Sequence, residues 1–341
     1  MLRHIVLLGG ALLCIVAPLT PSHAGDTSLN GFVRAAAGLT NNAERVGRID
    51  KRGSTDETHF GINVARELDS QWSVAGQLFA TGGEGAEYAM DLDWAYLTHR
   101  TTNNIKFNVG KIKYPNLLVS EYYDIGIAYP WVRPPQEIYA ADVGERPNLS
   151  LESFVGGMAV YDGAIGQLDY ALQLYSGNAH LDKGALRKIT GMKFKVGSET
   201  VSLIAGYNMH TPEHTVAEDG ITSLPKNNHT STALSFGAMV DWRNLVLMSE
   251  YAQGTVDKIT DLDTTALYAT LGYRISAVMP HITYAKLDAE KGDSSLTAGV
   301  KIQLSPAVTL KFDYQQVTPT VSIGTPPEGF NIYSGAIDLV F

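Results

Sequence analysis

His210-Thr-Pro-Glu-His214 sets two histidines four residues apart around a glutamate, the spacing that would put both imidazoles on one face of a helix and invite zinc. Pro212 breaks such a helix, and the segment ends a strand-like stretch, so a loop is expected there and no metal site with it. Gly82-Gly83-Glu84-Gly85 lacks the strand, helix and spacing of a phosphate cradle and reads as a flexible turn. No Gly-x-Ser-x-Gly occurs, and no serine, histidine and acid can be assembled into a catalytic set from sequence alone. The expectation is a protein that is not an enzyme and has no catalytic residues, metal or cofactor.

The charged residues offer a different chemistry. Glu121, Asp124, Arg133, Glu137 and Asp142 crowd a long aperiodic stretch in which acids outnumber bases. Arg34, Lys106, Arg187, Lys193, Lys195, Lys301 and Lys311 fall on the polar faces of alternating segments. Acid on a loop opposite base on a wall would set up a transverse field that orients water and dipolar solutes. Each of these charges equally fits a solvated or structurally paired side chain.

Such charges need elements to hold them, and the sequence supplies strands. Apolar and polar residues alternate with period two in runs of about ten. Val308, Leu310, Phe312 and Tyr314 oppose Thr309, Lys311, Asp313 and Gln315, and Leu168, Tyr170, Leu172 and Leu174 oppose Asp169, Ala171 and Gln173. Met90, Leu92, Trp94 and Tyr96 likewise oppose Asp91 and Asp93. Sixteen strands are predicted, within a range of fourteen to eighteen: 29–38, 58–68, 72–79, 88–98, 105–112, 153–161, 167–175, 186–196, 201–210, 230–241, 245–253, 264–275, 278–288, 294–304, 308–317 and 329–341. Short connections such as 69–71, 242–244 and 305–307 alternate with mostly longer ones at 39–57, 80–87, 113–152, 176–185, 211–229, 254–263, 289–293 and 318–328. Tight turns at one end and long loops at the other are the pattern of a transmembrane β-barrel.

A soluble β-sandwich or barrel would turn the apolar face inward. Sixteen strands enclose a lumen too wide for side chains to fill, so a polar, wet interior and an apolar outer face are expected. The remaining composition agrees. Arg3, the apolar run Ile5 to Val16 and the ending Ser22-His23-Ala24 read as a signal peptide over 1–24, leaving 25–341 as one barrel domain. The only cysteine, Cys14, lies in that leader, so the exported chain is held together without disulfides. A formal charge of −9 argues against a nucleic-acid partner.

Three features resemble the Gram-negative outer-membrane porin superfamily over nearly all of residues 25–341. The chain ends in an aromatic-bearing strand from Tyr333 to Phe341, similar to the signal read by the barrel assembly machinery. The third long connection, 113–152, is the longest, as in porins whose third outer loop folds into the lumen. It contains Lys111-Ile-Lys-Tyr-Pro115 and Tyr129-Pro-Trp-Val-Arg-Pro-Pro-Gln-Glu137, similar to segments of bacterial porin-like proteins. A dense arginine ladder has no counterpart at fixed positions, so the family's constriction chemistry does not carry over residue by residue.

The resemblance implies passive diffusion of small polar solutes and ions across the outer membrane, with lipid and lipopolysaccharide around the barrel. The loop itself points the same way, because Tyr122, Tyr123, Ile125, Ile127, Tyr129, Trp131 and Tyr139 are too apolar for a solvated tail. A lid on the outer surface is the other reading of it. Leu29, Gly31, Val33, Ala35 and Ala37 give the first strand a small-sided outer face suited to close protein contact, hence an expected homotrimer. The alternatives are an outer-membrane barrel enzyme, a protease or phospholipase, and a non-conducting structural or adhesive barrel. Hydrolysis would identify the first, and absence of conductance the second.

Overall fold

A computed structural model of the chain describes residues 27–42, 49–82, 88–101, 104–139, 151–181, 184–214, 229–257, 263–289, 291–321 and 328–341. The expected signal peptide, 1–24, lies outside them. The strands are β1 Thr27–Thr40, β2 His59–Glu67, β3 Trp72–Gly82, β4 Tyr88–Arg100, β5 Ile105–Lys113, β6 Ser153–Ile165, β7 Leu168–Leu181 and β8 Gly184–Gly197. They continue as β9 Val201–His214, β10 Ser231–Trp242, β11 Leu245–Val256, β12 Thr264–Tyr273, β13 Val278–Asp288, β14 Lys291–Ser305, β15 Val308–Val321 and β16 Phe330–Val340. Each pairs antiparallel with its sequence neighbours, and β1 pairs with β16 from Phe32↔Val340 to Thr40↔Ile332. The sheet closes into a sixteen-stranded barrel and leaves no edge.

Alternation sets the two faces. Leu29 (65% exposed), Val109 (63%), Phe236 (48%) and Phe312 (53%) point outward, whereas Arg34, Gln173, Lys193, Ser235, Lys311 and Asp338 point inward and are buried. Outward aromatics gather toward both rims. Trp72, Tyr161, Trp242, Tyr273 and Phe341 lie toward the short-turn end, and Tyr207, Tyr251, Tyr284, Tyr314 and Tyr333 lie further toward the other, the girdles of a barrel that spans a bilayer. At the short turns Asn104, Gly166, Arg243 and Ser276 take left-handed φ of 56°, 64°, 55° and 57°, which lets the chain reverse within a few residues.

The register shifts at four places among the described strands, and two of these shifts change the face that an expected residue takes. Between Gln77 and Leu78 of β3 the partner register jumps from Trp94 to Leu92, so Asp93 is the extra residue in β4. Beyond it the faces exchange. Trp94, 5% exposed, and Tyr96 stack inside the barrel rather than facing lipid as expected. In β8 the register shifts between Arg187 and Thr190 around Lys188, whose φ is 54°. Leu186 and Ile189 both lie inside as a result, and Arg187, expected on the pore wall, lies on the other face, paired with exposed Glu213 at 2.8 Å.

Two connections expected to be long are tight. The β7–β8 ladder runs on to Leu181↔Gly184, and β13 and β14 end and begin at Asp288 and Lys291, because backbone pairing continues past the apolar band. His210-Thr-Pro-Glu-His214 also lies within a strand, the last turn-free stretch of β9. Residues four apart along a strand are about 13 Å apart, too far for one ion.

The ladder that closes the barrel extends to Phe341. The Phe341 amide and carbonyl bond to Gly31 at 3.0 and 2.9 Å. A Cβ at Gly31 would meet the Phe341 ring at 2.3 Å, so the smallest position on the outer face of β1 is filled by the chain's own end. Deleting Phe341 should lower the heat-modifiable, assembled fraction on cold electrophoresis and raise the unassembled one. Phe312→Arg, on the lipid face, should destabilise the barrel by about 2 to 4 kcal/mol, measured by urea unfolding in lipid vesicles.

Candidate functional site

The segment from Tyr114 to Tyr139 does not continue the ladder. Pro115, Pro130, Pro134 and Pro135 remove ladder donors, and the chain instead forms single turns at Ser120–Tyr122, Gly126–Ala128 and Gln136–Tyr139. Its path is fixed by inward side chains from strand after strand. The Asn116 carbonyl accepts from Ser235 Oγ at 2.8 Å, and its Oδ1 accepts from Asn208 Nδ2 at 3.0 Å. The Leu118 amide donates to Glu250 at 2.5 Å, and the Tyr139 hydroxyl donates to the same carboxylate. Glu250, on β11, therefore holds both ends of the segment.

The middle is held as firmly. Lys311 donates to the carbonyls of Gly126 and, at 2.8 Å, Trp131, while Lys301 donates to that of Ile127 at 2.7 Å. Trp131 Nε1 donates to Thr283 at 2.8 Å and Thr270 at 3.1 Å. The Val132 amide donates to Asp313 at 2.7 Å, and its carbonyl accepts from Arg34 Nη1 at 2.7 Å. Arg34 also pairs with Asp338 at 2.6 Å, and Lys311 reaches the same carboxylate at 3.1 Å.

Burial gives the reason for this docking. The inner wall is not uniformly polar: Ile204, Val246, Met248, Ala266, Met279 and Leu287 project from β9 and from β11 to β13 and pack with Leu117, Tyr129, Trp131, Ile138 and Tyr139 of the segment. An apolar sector of that size would be wet unless something covered it. Tyr129 and Trp131, each 1% exposed, cover it.

The loop acids and wall bases thus meet in direct contact instead of facing each other across water. Glu121 pairs with Lys193 at 3.0 Å and accepts from Gln173. Asp124 pairs with Lys113 at 2.7 Å, and its carbonyl lies 3.0 Å from His59 Nε2. Lys113 stands among three carboxylates, with Asp93 at 2.9 Å and Glu152 at 3.6 Å, and its ammonium fills the place a cation would take. Glu137 is buried and accepts from Ser295. Arg133 forms a two-pronged bond to Glu57 at 2.5 and 2.7 Å. Asp142 lies outside the described residues.

Of the expected wall bases, Lys106 points inward to Asp162 at 2.9 Å, Lys195 is half-buried near Lys193, and Lys301 and Lys311 bind the loop. Lys311, expected in water, has no exposed surface. Glu57, Glu250, Asp313 and Asp338 were missed as site residues. Asp338 and Asp313 stood on recognised polar faces, and only their partners were hidden; Glu57 lay in a loop and Glu250 in a strand of poor alternation.

His281 Nε2 lies 3.3 Å from Asp313 Oδ1, but neither atom makes a hydrogen bond among the described residues, and the His281 side chain is fully buried.

Burial alone would raise the Glu121 and Asp124 carboxyls, but the ammonium groups of Lys193 and Lys113 outweigh it and hold both below the ordinary range. Lowered values make the anchorage complete at neutral pH and lost as acid protonates the pair, below about pH 4. Hydrogen exchange, corrected for intrinsic rate, should show Tyr122 to Ile127 protected at pH 7 and opened at pH 3 while the strands stay protected. Equal protection at both values would mean that the apolar contacts alone hold the segment.

No known family profile matches the sequence, and no curated protein does. Solved structures do match. The anion-selective porin from Comamonas acidovorans aligns with TM-score 0.65 at 11% identity, covering 93% of this chain and 100% of its own. Salmonella typhi OmpF, in complex with daunomycin, gives 0.63 at 14%, covering 93% and 98%. A loop-deletion form of OmpT, an outer membrane protein of Vibrio cholerae, gives 0.67 at 11%, covering 94% and 100%. At these identities the likeness is one of fold, a closed barrel shared with these outer-membrane proteins, here of sixteen strands.

Proposed function

We propose that the chain is a porin of the bacterial outer membrane, a channel for passive diffusion of small hydrophilic solutes that assembles as a homotrimer after export. The observation that supports this reading is a closed barrel, apolar outside, in which the segment from Tyr114 to Tyr139 bonds to inward side chains on nearly every strand; held this way, the segment would narrow the lumen. A segment anchored from β1 to β16 has room for all those contacts only inside the barrel. Lipid and lipopolysaccharide outside, and the assembly machinery that reads Phe341, complete the proposed partners. The trimer is supported by the form of the Vibrio cholerae neighbour described as a trimer.

A plugged, non-conducting barrel is the second reading, favoured by how many inward side chains the loop buries. Single-channel recording in planar bilayers separates the two. The porin reading predicts discrete conductance steps from the native protein. Deleting Asp124 to Asp142 should enlarge those steps if the barrel still assembles. A native protein that is silent, with a deletion variant that conducts, would identify a plug.

A further inference from the structure

Resting on the porin reading, the burial pattern says where the water path runs and what it discriminates. At the level of the loop, inward side chains from β7 round to β1 are sealed: Gln173 is 4% exposed, Lys193 3%, Ser235 0%, Glu250 2%, Lys311 0% and Arg34 5%. In the remaining sector, β2 to β6, Gln77, Asp93, Trp94, Ile112 and Phe154 are buried as well, but a strip on β2 to β5 stays open. Asn63, Ala65, Ala75, Tyr96, Asn108 and Gly110 all point inward and all keep partial exposure. Ala65, Ala75, Tyr96 and Gly110 stand in one register row across four strands, so small side chains leave depth where the rest of the wall is filled.

This strip carries no ionisable group except the Tyr96 phenol. The Asn63 Oδ1 is buried and accepts no hydrogen bond among the described residues, and the Asn108 Oδ1 accepts one from Thr98. The charges that border the strip touch opposite charges. At one end Lys113 stands among Asp93, Asp124 and, at 3.6 Å, Glu152, a cluster with an excess of acid; at the other, Lys106–Asp162 at 2.9 Å and Arg100–Glu67 at 3.2 Å are one-to-one pairs. Opposed charges at contact distance present a dipole, whose field falls off faster than that of a single charge and is further screened by salt.

We propose that solutes pass along the β2 to β5 wall, over Asn63, Ala75, Tyr96 and Asn108, and that the path sorts them by size and hydrogen bonding rather than by charge. The favoured class is small, uncharged and polar, such as polyols and amides, which exchange hydrogen bonds with water for bonds to the two asparagine amides.

Cysteine substitution tests this, because the only native cysteine is Cys14, within the expected leader. In planar bilayers Ala75→Cys should lose conductance on reaction with a cationic and with an anionic methanethiosulfonate reagent of similar size alike. Ser235→Cys, beneath the loop, should be unaffected by either. In a salt gradient the native channel should show potassium and chloride permeabilities within about threefold of each other, and glycerol should swell loaded liposomes quickly. Block at Ser235→Cys without block at Ala75→Cys would overturn the assigned path. A permeability ratio of about tenfold or more in either direction would overturn the neutral selectivity. Both leave a conducting protein, whereas a silent native protein would instead overturn the porin reading.

Discussion

A strand in hydrocarbon has nowhere to place its N–H and C=O groups except on another strand. That requirement organises the whole molecule. It forces the sheet to close, and β1 meets β16 through a ladder that ends on Gly31 and Phe341. Closure at sixteen strands then creates the next problem, a lumen wider than its own side chains can fill.

The third loop answers that problem, and it does so with two kinds of contact. Apolar rings cover the apolar sector of the inner wall, and backbone carbonyls are capped by Lys301, Lys311 and Arg34. These cations are buried but not isolated: Arg34 and Lys311 share Asp338, and Lys301 satisfies a carbonyl. Removing one partner from such a cluster leaves the others desolvated and unpaired, so the loop and wall are expected to loosen together. The rigidity of the docked segment and the stability of the barrel interior are in this sense one property.

The same pairing changes how charge should be counted. Summed along the sequence, the loop is acidic and the wall basic, which suggests a field across the pore. Paired at 2.7 to 3.0 Å, as Asp124 is with Lys113 and Glu121 with Lys193, they serve as anchors and contribute little at a distance. On the proposed path, what a solute meets is the strip between β2 and β5.

Strand number, the outward apolar face, the long third loop and the closing aromatic strand were all legible in the sequence, because each is a local consequence of period two and of proline placement. Phe312 and Lys311 can be assigned to opposite faces from their neighbours alone. The bulges at Asp93 and Lys188 were not legible, since one extra residue in a strand leaves the composition unchanged while exchanging the faces beyond it. Nor were the partners of the loop. Glu250 lies 132 residues from Leu118 and Lys311 lies 180 from Trp131, and only the closed ring brings them within bonding distance. Sequence decided which residues are charged; the tertiary structure decided which of those charges remain available to water, because neutralisation at contact depends on separations in space that no local pattern encodes.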